Sequence, residues 1–345
     1  MKVVLFKELQ KLEVKEKPKP KTGAGEVLVK VEYCGICGSD VHGFLSGVMV
    51  PPGTVMGHEC SGVVEEIGEG VPGFAVNDRV VVKPIPQCGE CYWCRKGQYS
   101  LCSSAFSRAF GITPAYDGAF ADYLLVKYPA TTMFKLPDNV SFEQGALIEP
   151  LATCLHGVRM SSARPGDTTV VIGAGMIGLG TIQFLRLAGA GKIIVLEIAP
   201  KKARLAEQMG ADIVLDPLTE GEGLREKIFS MTGGVGADVV FECTGVPFGF
   251  QNAMFLAKSG GQVMVVGICD KEVAINPFML VLWEVEMKGV LGYYVEFTYV
   301  IEFLRQGKLM TEPLISAIVP LKDIAEKGFN RLLASKDDVK ILVRP

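Results

Sequence analysis

The stretch TTVVIGAGMIGLGTIQFLRLAG, residues 168–189, decides the fold of the second half of this chain. It begins with an apolar run typical of a buried strand, passes through a glycine-rich turn and ends in an apolar helical pattern. The turn reads G-x-G-x-x-G at Gly173, Gly175 and Gly178, and Glu197 ends the next apolar run. A strand, this turn, a helix and an acid about 20 residues further on are together typical of a dinucleotide-binding βαβ unit.

Each part of this pattern has a physical role. Gly173 permits the tight turn, Gly175 lets the backbone approach a pyrophosphate, and Gly178 allows the helix to pack closely on the strand. The N-terminus of that helix then faces the phosphates. The Glu197 carboxylate can accept hydrogen bonds from both ribose hydroxyls and would repel a 2′-phosphate, which predicts NAD rather than NADP. Basic residues within 201–204 leave some tolerance of NADP open, and an ordinary tight turn with an exposed glutamate is the alternative.

The pattern of the chain changes near Pro150. Before it, short strands are broken by Gly, Pro and Asp, which predicts a mostly-β domain. After it, continuous apolar strands alternate with helices, which predicts a parallel sheet covered on both faces. We expect a helix over 246–260 and strands over 260–268 and 277–287. At 345 residues the chain exceeds one ordinary core, so we predict an α/β protein of two domains.

Composition excludes several classes of partner. Apolar residues make up 49% and charged residues 21% of the chain, and the net charge of −3 indicates neither a nucleic acid nor a membrane surface as partner. No apolar run reaches the length of a membrane span, and the N-terminal MKVVLFKELQ does not read as a signal peptide. Ten cysteines without a secretory signal predict reduced thiols in a cytoplasm, where metal binding is favoured over disulfides.

Residues 88–102, which we call the cysteine loop, contain four cysteines in the spacing C-x2-C-x2-C-x7-C, at Cys88, Cys91, Cys94 and Cys102. Four thiolates in one short segment can surround a tetrahedral ion, so the loop predicts zinc or, alternatively, an iron–sulfur cluster. The shell leaves no open position, which indicates a structural metal. Four unligated cysteines are the other alternative, but exposed thiols oxidise.

A second candidate set combines Cys37, His58 and Glu59. A cysteine, a histidine and a carboxylate form a mixed ligand set that leaves a position for water or substrate, as catalytic zinc does. Cys37 also ends the pattern Cys-x-x-Cys that begins at Cys34, which can be a redox pair, half of a zinc site or an accident of packing. Glu149 lies in an otherwise apolar stretch, where an acid is costly unless it is paired or ligates a metal. A glutamate at a helix N-terminus is the alternative for Glu149.

Three motifs in the same order, GHE at 57–59, the cysteine loop and the late G-x-G-x-x-G, resemble those of the zinc-dependent medium-chain alcohol dehydrogenases. The resemblance covers essentially the whole chain. CGSDVHGF, GITPAYDG and ALIEPLATCLHGVR are most similar to the sorbitol (polyol) and 2,3-butanediol dehydrogenases. It implies a GroES-like catalytic domain over 1–150 and 291–345 and a doubly wound Rossmann domain for NAD over 151–290.

The resemblance also implies the roles of individual residues. Cys37, His58 and Glu59 would ligate the catalytic zinc, and Glu149 would either ligate it or hold its water. Ser39 and His42 match a proton relay that passes a cofactor ribose hydroxyl, and Cys34 would only pack. Two zinc ions per chain and a homotetramer or homodimer are expected. The predicted cofactor-binding residues are Gly173, Gly175, Met176, Ile177, Gly178, Glu197, Thr244 and Gly267.

The predicted function is hydride transfer between a secondary alcohol and NAD. Polyol dehydrogenases carry an arginine before the tyrosine that Tyr293 matches, whereas this chain has Gly292, which favours a small vicinal diol or acyloin over a hexitol. The alternatives within the enzyme class are threonine or another alcohol. A zinc-ribbon protein that binds nucleic acid through the cysteine loop, and a retired enzyme with a structural role, are the alternatives outside it.

Overall fold

The computed structural model describes residues 1–345. The chain forms two compact units, one made of Met1–Pro150 with Tyr293–Pro345 and the other of Leu151–Gly292. The expected second boundary, between residues 290 and 291, lies two residues earlier than this division. No helix combines the length and the apolar character that crossing a membrane requires.

The chain contains fifteen strands. They are β1 Lys2–Glu8, β2 Lys11–Glu16, β3 Val27–Gly35, β4 Glu59–Ile67, β5 Arg79–Val82, β6 Tyr123–Val126, β7 Met133–Lys135, β8 Thr168–Ile172, β9 Lys192–Leu196, β10 Ile213–Leu215, β11 Ala237–Glu242, β12 Ala257–Val265, β13 Glu286–Gly289, β14 Ile315–Pro320 and β15 Lys340–Arg344.

Thirteen α-helices accompany the strands. They are α1 Gly38–Ser46, α2 Tyr92–Arg95, α3 Pro129–Thr132, α4 Phe142–Gly145, α5 Ile148–Met160, α6 Met176–Leu187, α7 Pro200–Gln208, α8 Pro217–Glu220, α9 Leu224–Met231, α10 Pro247–Leu256, α11 Pro277–Trp283, α12 Glu296–Arg305 and α13 Arg331–Ala334. A π-helical segment, Ile324–Asn330, precedes α13.

The first unit is built on a seven-stranded sheet. Its order is β14-β15-β3-β4-β5-β7, with β6 also paired to β3, and all of its pairs except β14–β15 are antiparallel. Three fully buried phenylalanines, Phe6, Phe120 and Phe329, belong to its core. Because β4 and β15 both flank β3, residues at the end of β3, the start of β4 and the start of β15 meet at one place.

The second unit contains a six-stranded parallel sheet. Its order is β10-β9-β8-β11-β12-β13, so that the first strand of the unit, β8, lies beside the fourth, β11. Val170, Val171, Val239 and Val240 of these two central strands are buried, which explains their continuous apolar runs. This is the doubly wound order in which the carboxyl ends of the two central strands flank a nucleotide crevice. The predicted fold class is confirmed.

Two elements of the second unit differ from the expectation. Helix α10 ends at Leu256, and 257–260 belong to β12 because Ala257 pairs with Ala237 at the start of β11. The segment expected as a strand over 277–287 begins instead with helix α11. The side chain of Asn276 caps that helix by accepting a hydrogen bond from the Phe278 N–H at 3.1 Å, and Pro277 fits its first turn.

Candidate metal centres and dinucleotide site

A cysteine, a histidine and a glutamate come together in the first unit, and we call them the mixed centre. Cys37 lies at the N-terminus of α1, His58 immediately precedes β4, and Glu59 is the first residue of β4. One donor atom from each residue lies within 4.8 Å of the other two. Because zinc binds such atoms at about 2.0–2.3 Å, three donors this close can share one ion.

Asp40 supports the histidine of the mixed centre. Its buried carboxylate accepts a hydrogen bond from the Cys37 N–H at 3.0 Å through Oδ2, and Oδ1 lies 3.5 Å from His58 Nδ1. Burial opposes a charge on the imidazole, but the neighbouring Asp40 and Cys37 outweigh it and raise the pKa of His58 well above its usual value. A carboxylate facing Nδ1 leaves Nε2 for a metal, as in carboxylate–histidine–zinc arrangements.

Lys340 neutralises the glutamate of the mixed centre. Its ammonium, at the start of β15, donates to both oxygens of Glu59 at 2.7 and 2.6 Å and to the Ile36 carbonyl at 2.8 Å. Lys340 is 3% exposed and Glu59 is fully buried. Burial opposes the charge on Lys340, yet Glu59 outweighs burial and raises the pKa of the lysine. The pair is therefore a buried, hydrogen-bonded ion pair.

The close fit of Glu59 depends on a glycine in the neighbouring strand. Gly35 of β3 is directly opposite Glu59 of β4. A Cβ atom added to Gly35 would lie 2.1 Å from Glu59 Oε2, which is far inside van der Waals contact. The absence of a side chain at this position thus makes room for the carboxylate.

Glu149 lies close to the mixed centre but is not one of the three donors within 4.8 Å of one another. Burial raises the pKa of Glu149 to about 7, and the charge of Glu59 acts in the same direction, while His58 and Lys340 oppose it. The pKa of Tyr293 is also raised, by burial and then by Glu149. The structure thus places Glu149 near the mixed centre, and its ligation of the zinc or of the zinc-bound water stays a prediction.

Ser39 and His42 both belong to helix α1. The buried Ser39 hydroxyl lies 3.4 Å from His58 Nε2, on the side of the imidazole that a metal would occupy. His42 follows three residues later and is half-buried. Residues three apart in a helix lie on one face, so a buried hydroxyl and a partly accessible imidazole are aligned along α1.

The surroundings of the mixed centre fit a divalent cation. Asp40 and Glu59 place two buried carboxylates beside the Cys37 thiol; His58 faces the first of them and Lys340 is paired with the second. A soft sulfur, an imidazole nitrogen and a carboxylate oxygen are the donors that zinc accepts. The residues therefore fit a zinc ion held on one side and accessible on the other.

The cysteine loop forms the second donor cluster. The sulfur atoms of Cys88, Cys91, Cys94 and Cys102 all lie within 4.8 Å of one another. Backbone N–H groups of Cys88 and Cys91 donate to the sulfurs of Cys102 and Cys88 at 3.4 and 3.3 Å. Backbone donors at Cys94 and Ser103 lower the pKa of Cys91 to about 5, which favours its thiolate. The loop thus fits a tetrahedral ion with four sulfur ligands.

A buried lysine lies beside the cysteine loop. Lys83 is 3% exposed and donates to Gln87 Oε1 at 2.6 Å, next to the first cysteine of the loop. Burial lowers the pKa of Lys83 to about 8, and the nearby Cys94 opposes that shift. Unlike Lys340, this lysine has a sulfur cluster rather than a carboxylate as its nearest source of negative charge.

The glycine turn after β8 has the geometry of a dinucleotide loop. Gly173 has φ +91°, which an L side chain rarely adopts. The Ala174 N–H donates to Glu197 Oε2 at 2.7 Å, and Glu197 Oε1 accepts from the N–H groups of Ile198 and Ala199 at 2.8 and 2.7 Å. The acid predicted to meet a ribose is therefore held beside the glycine turn.

The other predicted residues of this turn divide into packed and open positions. A Cβ atom at Gly178 would lie 1.8 Å from the Gly173 carbonyl oxygen, whereas one at Gly175 would meet no atom within 4 Å. Met176 begins helix α6 and is buried, and Ile177 is half-buried. Gly178 thus allows close packing of helix on turn, while Gly175 leaves open space where a phosphate would lie.

Thr244 and Gly267 follow the carboxyl ends of β11 and β12. A Cβ atom at Gly173 would lie 2.5 Å from Thr244 Cγ2, so the turn after β11 packs against the glycine turn after β8. A Cβ atom at Gly267 would lie 2.2 Å from the Gly245 nitrogen, so the turn after β12 packs against the turn after β11. The structure brings all three turns together at one edge of the sheet.

Two residues that support the mixed centre were not predicted from the sequence. Asp40 lies inside the quoted CGSDVHGF, and an acid three residues after Cys37, on the same helix turn, was the signal that could have identified it. Lys340 is 281 residues from Glu59 in sequence, and no local pattern connects them. Cys34 is fully buried, and burial raises its pKa well above the usual range, in agreement with the packing role expected of it.

Two family models match the chain. Residues 23–138 match the alcohol dehydrogenase GroES-like domain, and residues 177–306 match the zinc-binding dehydrogenase domain. The (R,R)-butanediol dehydrogenase of Bacillus subtilis (strain 168) is 38% identical over 357 residues, covering 100% of both chains. The chain belongs to the zinc-dependent alcohol dehydrogenase family. The predicted resemblance is confirmed.

Other members of the family show the same relationship. The sorbitol dehydrogenase of Bacillus subtilis (strain 168) is 32% identical over 350 residues, covering 100% of this chain and 97% of the relative. A zinc-binding dehydrogenase structure from Sinorhizobium meliloti 1021 bound to NADP has a TM-score of 0.91 at 34% identity, covering 100% and 99% of the two chains. This zinc-dependent alcohol dehydrogenase is therefore an oxidoreductase acting on CH–OH donors, with zinc and a nicotinamide dinucleotide as cofactors.

Proposed function

We propose that this enzyme oxidises a small vicinal diol, or reduces the corresponding acyloin, with NAD as the preferred dinucleotide. The observation that carries the proposal is the mixed centre itself. Cys37, His58 and Glu59 offer three different donor types within 4.8 Å, next to the buried Ser39 hydroxyl. A structural zinc needs no such neighbour, whereas a catalytic zinc needs an open position and a path for a proton.

Some residues of the mixed centre would bind the zinc, and the neighbouring Ser39 and His42 would transfer a proton. Cys37 and His58 would hold the zinc, and the cysteine loop would hold a second, structural zinc. When bound, the catalytic zinc would polarise the substrate oxygen and lower its pKa, and the dinucleotide would exchange hydride with the substrate carbon. Ser39 Oγ would receive the hydroxyl proton, and His42, nearer the surface on α1, would pass a proton to solvent because an imidazole can both accept and donate one.

Glu59 and Glu149 are the two carboxylates considered for the proposed ligand set. Lys340 already binds both oxygens of Glu59, so ligation by that carboxylate would compete with a buried ion pair. Glu149 has no hydrogen-bonded cation comparable with Lys340, and burial raises its pKa to about 7. We propose that Glu59 is a zinc ligand with Cys37 and His58, and that Glu149 either ligates the zinc or holds its water.

The preference for NAD rests on Glu197. Its carboxylate is held by three backbone N–H groups beside the glycine turn, where a dinucleotide's ribose would lie. A carboxylate there accepts hydrogen bonds from ribose hydroxyls and repels a 2′-phosphate. The Sinorhizobium relative bound to NADP shows that the family also accommodates the phosphorylated dinucleotide, so the preference needs its own measurement.

The proposed substrate class rests on relatives and on Gly292. The butanediol dehydrogenase covers the whole chain at 38% identity, against 32% for the sorbitol dehydrogenase. Gly292 precedes the buried Tyr293 and has no side chain to bind a further hydroxyl, whereas polyol dehydrogenases resemble this chain except for an arginine there. A substrate with two neighbouring oxygens fits this arrangement better than a hexitol does.

The test is NADH formation from 2,3-butanediol, sorbitol, xylitol and threonine, compared with NADPH formation from NADP, together with zinc counted by atomic absorption. We expect two zinc ions per chain, a higher kcat/KM for the diol than for the polyols and threonine, and a higher kcat/KM for NAD than for NADP. A sorbitol or threonine preference would contradict the substrate class. A content of one zinc ion per chain would mean that one of the two centres does not bind zinc.

We also propose a cytoplasmic location and a homotetrameric or homodimeric assembly. All ten cysteines are free thiols in the structure, which supports a reducing compartment. Helix α11 and the edge strand β13 support a contact between copies, because Phe278, Val281 and Leu282 are 63%, 76% and 58% exposed there. Sedimentation at several protein concentrations would measure the assembly, and a monomer at all of them would contradict it.

A further inference from the structure

Glu242, the last residue of β11, is a buried acid without a cationic partner. It is 1% exposed, and no lysine, arginine or histidine is paired with it. Its Oε1 accepts hydrogen bonds from the Thr244 N–H at 2.8 Å, the Gly245 N–H at 3.1 Å and the Thr244 hydroxyl. Because an unpaired buried carboxylate is costly, this set of donors is what allows the acid to remain there.

The start of helix α10 and the turn after β12 enclose this carboxylate. A Cβ atom at Gly249 would lie 2.6 Å from Glu242 Oε1, and a Cβ atom at Gly267 would lie 2.6 Å from Oε2. The main-chain carbonyl of Glu242 also accepts from the N–H groups of Val266 and Gly267, both at 2.9 Å. Glu242 therefore joins the turn after β11 to the turn after β12.

The turn after β11 lies where the sheet order reverses, and the turn after β12 is next to it. β8 and β11 are adjacent in the order β10-β9-β8-β11-β12-β13, and a dinucleotide binds across the carboxyl ends of such a pair. Glu197 lies on the β9 side of this crevice, where the first half of the fold receives the adenosine. Thr244 packs against Gly173 from the β11 side. The turn that Glu242 holds is thus a wall of the half that receives the nicotinamide.

We propose that Glu242 is a positioning residue of the cofactor site, which fixes the turns at Thr244–Gly245 and Gly267 in the shape that receives the nicotinamide half of the dinucleotide. The proposal rests on the proposed function, because it takes the dinucleotide as the ligand. A carboxylate suits the task because it only accepts hydrogen bonds, and the groups that face it donate. A glutamine would place its own N–H groups beside the Gly245 N–H or the Thr244 donors.

The test compares two ligands that share the adenosine half. NADH and ADP-ribose are titrated against wild type and Glu242→Gln, with binding followed by NADH fluorescence and, for ADP-ribose, by its competition with NADH. We expect the Kd of NADH to rise about tenfold or more, as loss of hydrogen bonds to a charged group predicts. The Kd of ADP-ribose should stay within about twofold, and zinc content should not change. A purely structural role would weaken both ligands alike.

Two variants serve as controls. Glu226→Gln removes an exposed acid on α9 of the same unit and should leave both affinities as in wild type. Glu242→Asp keeps the charge but shortens its reach, so it should weaken NADH binding as Glu242→Gln does. If Glu242→Gln does not fold, Thr244→Val removes one of the three donors and should raise the Kd of NADH by a smaller factor in the same direction.

The outcomes separate this inference from the proposed function. A wild-type chain that binds neither NADH nor NAD would overturn the proposed function and this inference with it. A wild-type chain that binds NADH, with Glu242→Gln equally tight or with NADH and ADP-ribose weakened alike, would overturn only the positioning role. Selective loss of NADH affinity in both Glu242 variants would support it.

Discussion

The two candidate metal centres of the first unit are assembled in opposite ways. The cysteine loop draws all four donors from residues 88–102, and two of its cysteines are half-exposed. The mixed centre joins Cys37 to His58 and Glu59, and its support extends to Lys340. One centre belongs to a single surface loop, and the other depends on three neighbouring strands of the central sheet.

The same contrast appears in the lysine beside each centre. Lys83 and Lys340 are both 3% exposed, yet burial lowers the pKa of Lys83 to about 8, while Glu59 overcomes burial and raises the pKa of Lys340. Equal burial thus produces opposite shifts because one lysine has a carboxylate partner and the other has thiols. Lys340 is thus paired with a carboxylate of the mixed centre, whereas Lys83 lies beside the sulfur atoms of the cysteine loop.

The greatest loss of activity should follow a substitution that disrupts the mixed centre and leaves the cysteine loop intact. Cys37→Ser should lower kcat/KM by about a thousandfold, since several kcal/mol of charge stabilisation are lost at 1.36 kcal/mol per tenfold. The zinc content should fall from two per chain to one, because the cysteine loop is independent. Atomic absorption and steady-state kinetics measure both. Cys34→Ala, three residues earlier, should keep two zinc ions, and loss of zinc in that control would contradict the assignment.

The next effect concerns the buried ion pair. Lys340→Met leaves the Glu59 carboxylate buried without its cation, which should lower the free energy of unfolding by about 3–5 kcal/mol. Urea denaturation measures it. The double variant Lys340→Met with Glu59→Gln should recover much of the loss, because neither charge then remains. Equal losses in the single and double variants would show that Lys340 acts through packing and not through charge.

A smaller effect is expected at the support of the histidine. Asp40→Asn should lower zinc affinity or activity by about 10–100-fold, as removal of a carboxylate behind a zinc-bound histidine does. Competition with a chromophoric chelator measures the affinity. Ser39→Ala, one residue earlier, should lower turnover while leaving zinc affinity as in wild type. If Asp40→Asn and Ser39→Ala lost zinc equally, the assignment of Ser39 to proton transfer and not to zinc binding would be wrong.

The last prediction concerns the stability of the zinc-free protein and tests the lysine of the cysteine loop. After a chelator removes zinc, the folded pKa of Lys83 lies below its unfolded value of 10.5, so the unfolded state binds more protons between about pH 8 and 10.5. Stability of the zinc-free protein should therefore rise with pH in that window. Zinc-bound thiolates would raise the pKa of Lys83 and flatten the rise. Thermal melts across the window measure it, and zinc-free Lys83→Met should not show this contribution.

The features that could be predicted from the sequence are those whose residues lie within one short segment. The cysteine loop and the G-x-G-x-x-G turn lie within single short segments, so their spacing alone indicated their geometry. Thr244 and Gly267 lie where the carboxyl ends of parallel strands meet, and their contact with the dinucleotide stays a prediction. Lys340 could not be predicted, since its contact with Glu59 exists only once β15 has inserted beside β3.

The errors in secondary structure have local causes. The apolar run at 277–283 fits a strand pattern and a helix pattern equally well. The cap at Asn276 and the proline at Pro277 stabilise the helix. Residues 257–260 continue a helical composition, but pairing of Ala257 with Ala237 draws them into β12. In both places a neighbouring residue, and not the apolar periodicity, fixed the outcome.

The insertion of β15 also sets an order of events during synthesis. A growing chain can close the cysteine loop soon after Cys102 emerges, but Lys340 is made 281 residues after Glu59. Until then Glu59 lacks the cation that it binds, and the end of β3 at Cys34 and Gly35 lacks its partner strand. A chain that stopped before β15 could therefore bind a metal in the cysteine loop but would lack Lys340 at the mixed centre. We therefore expect the enzyme to be inactive until β15 has been synthesised.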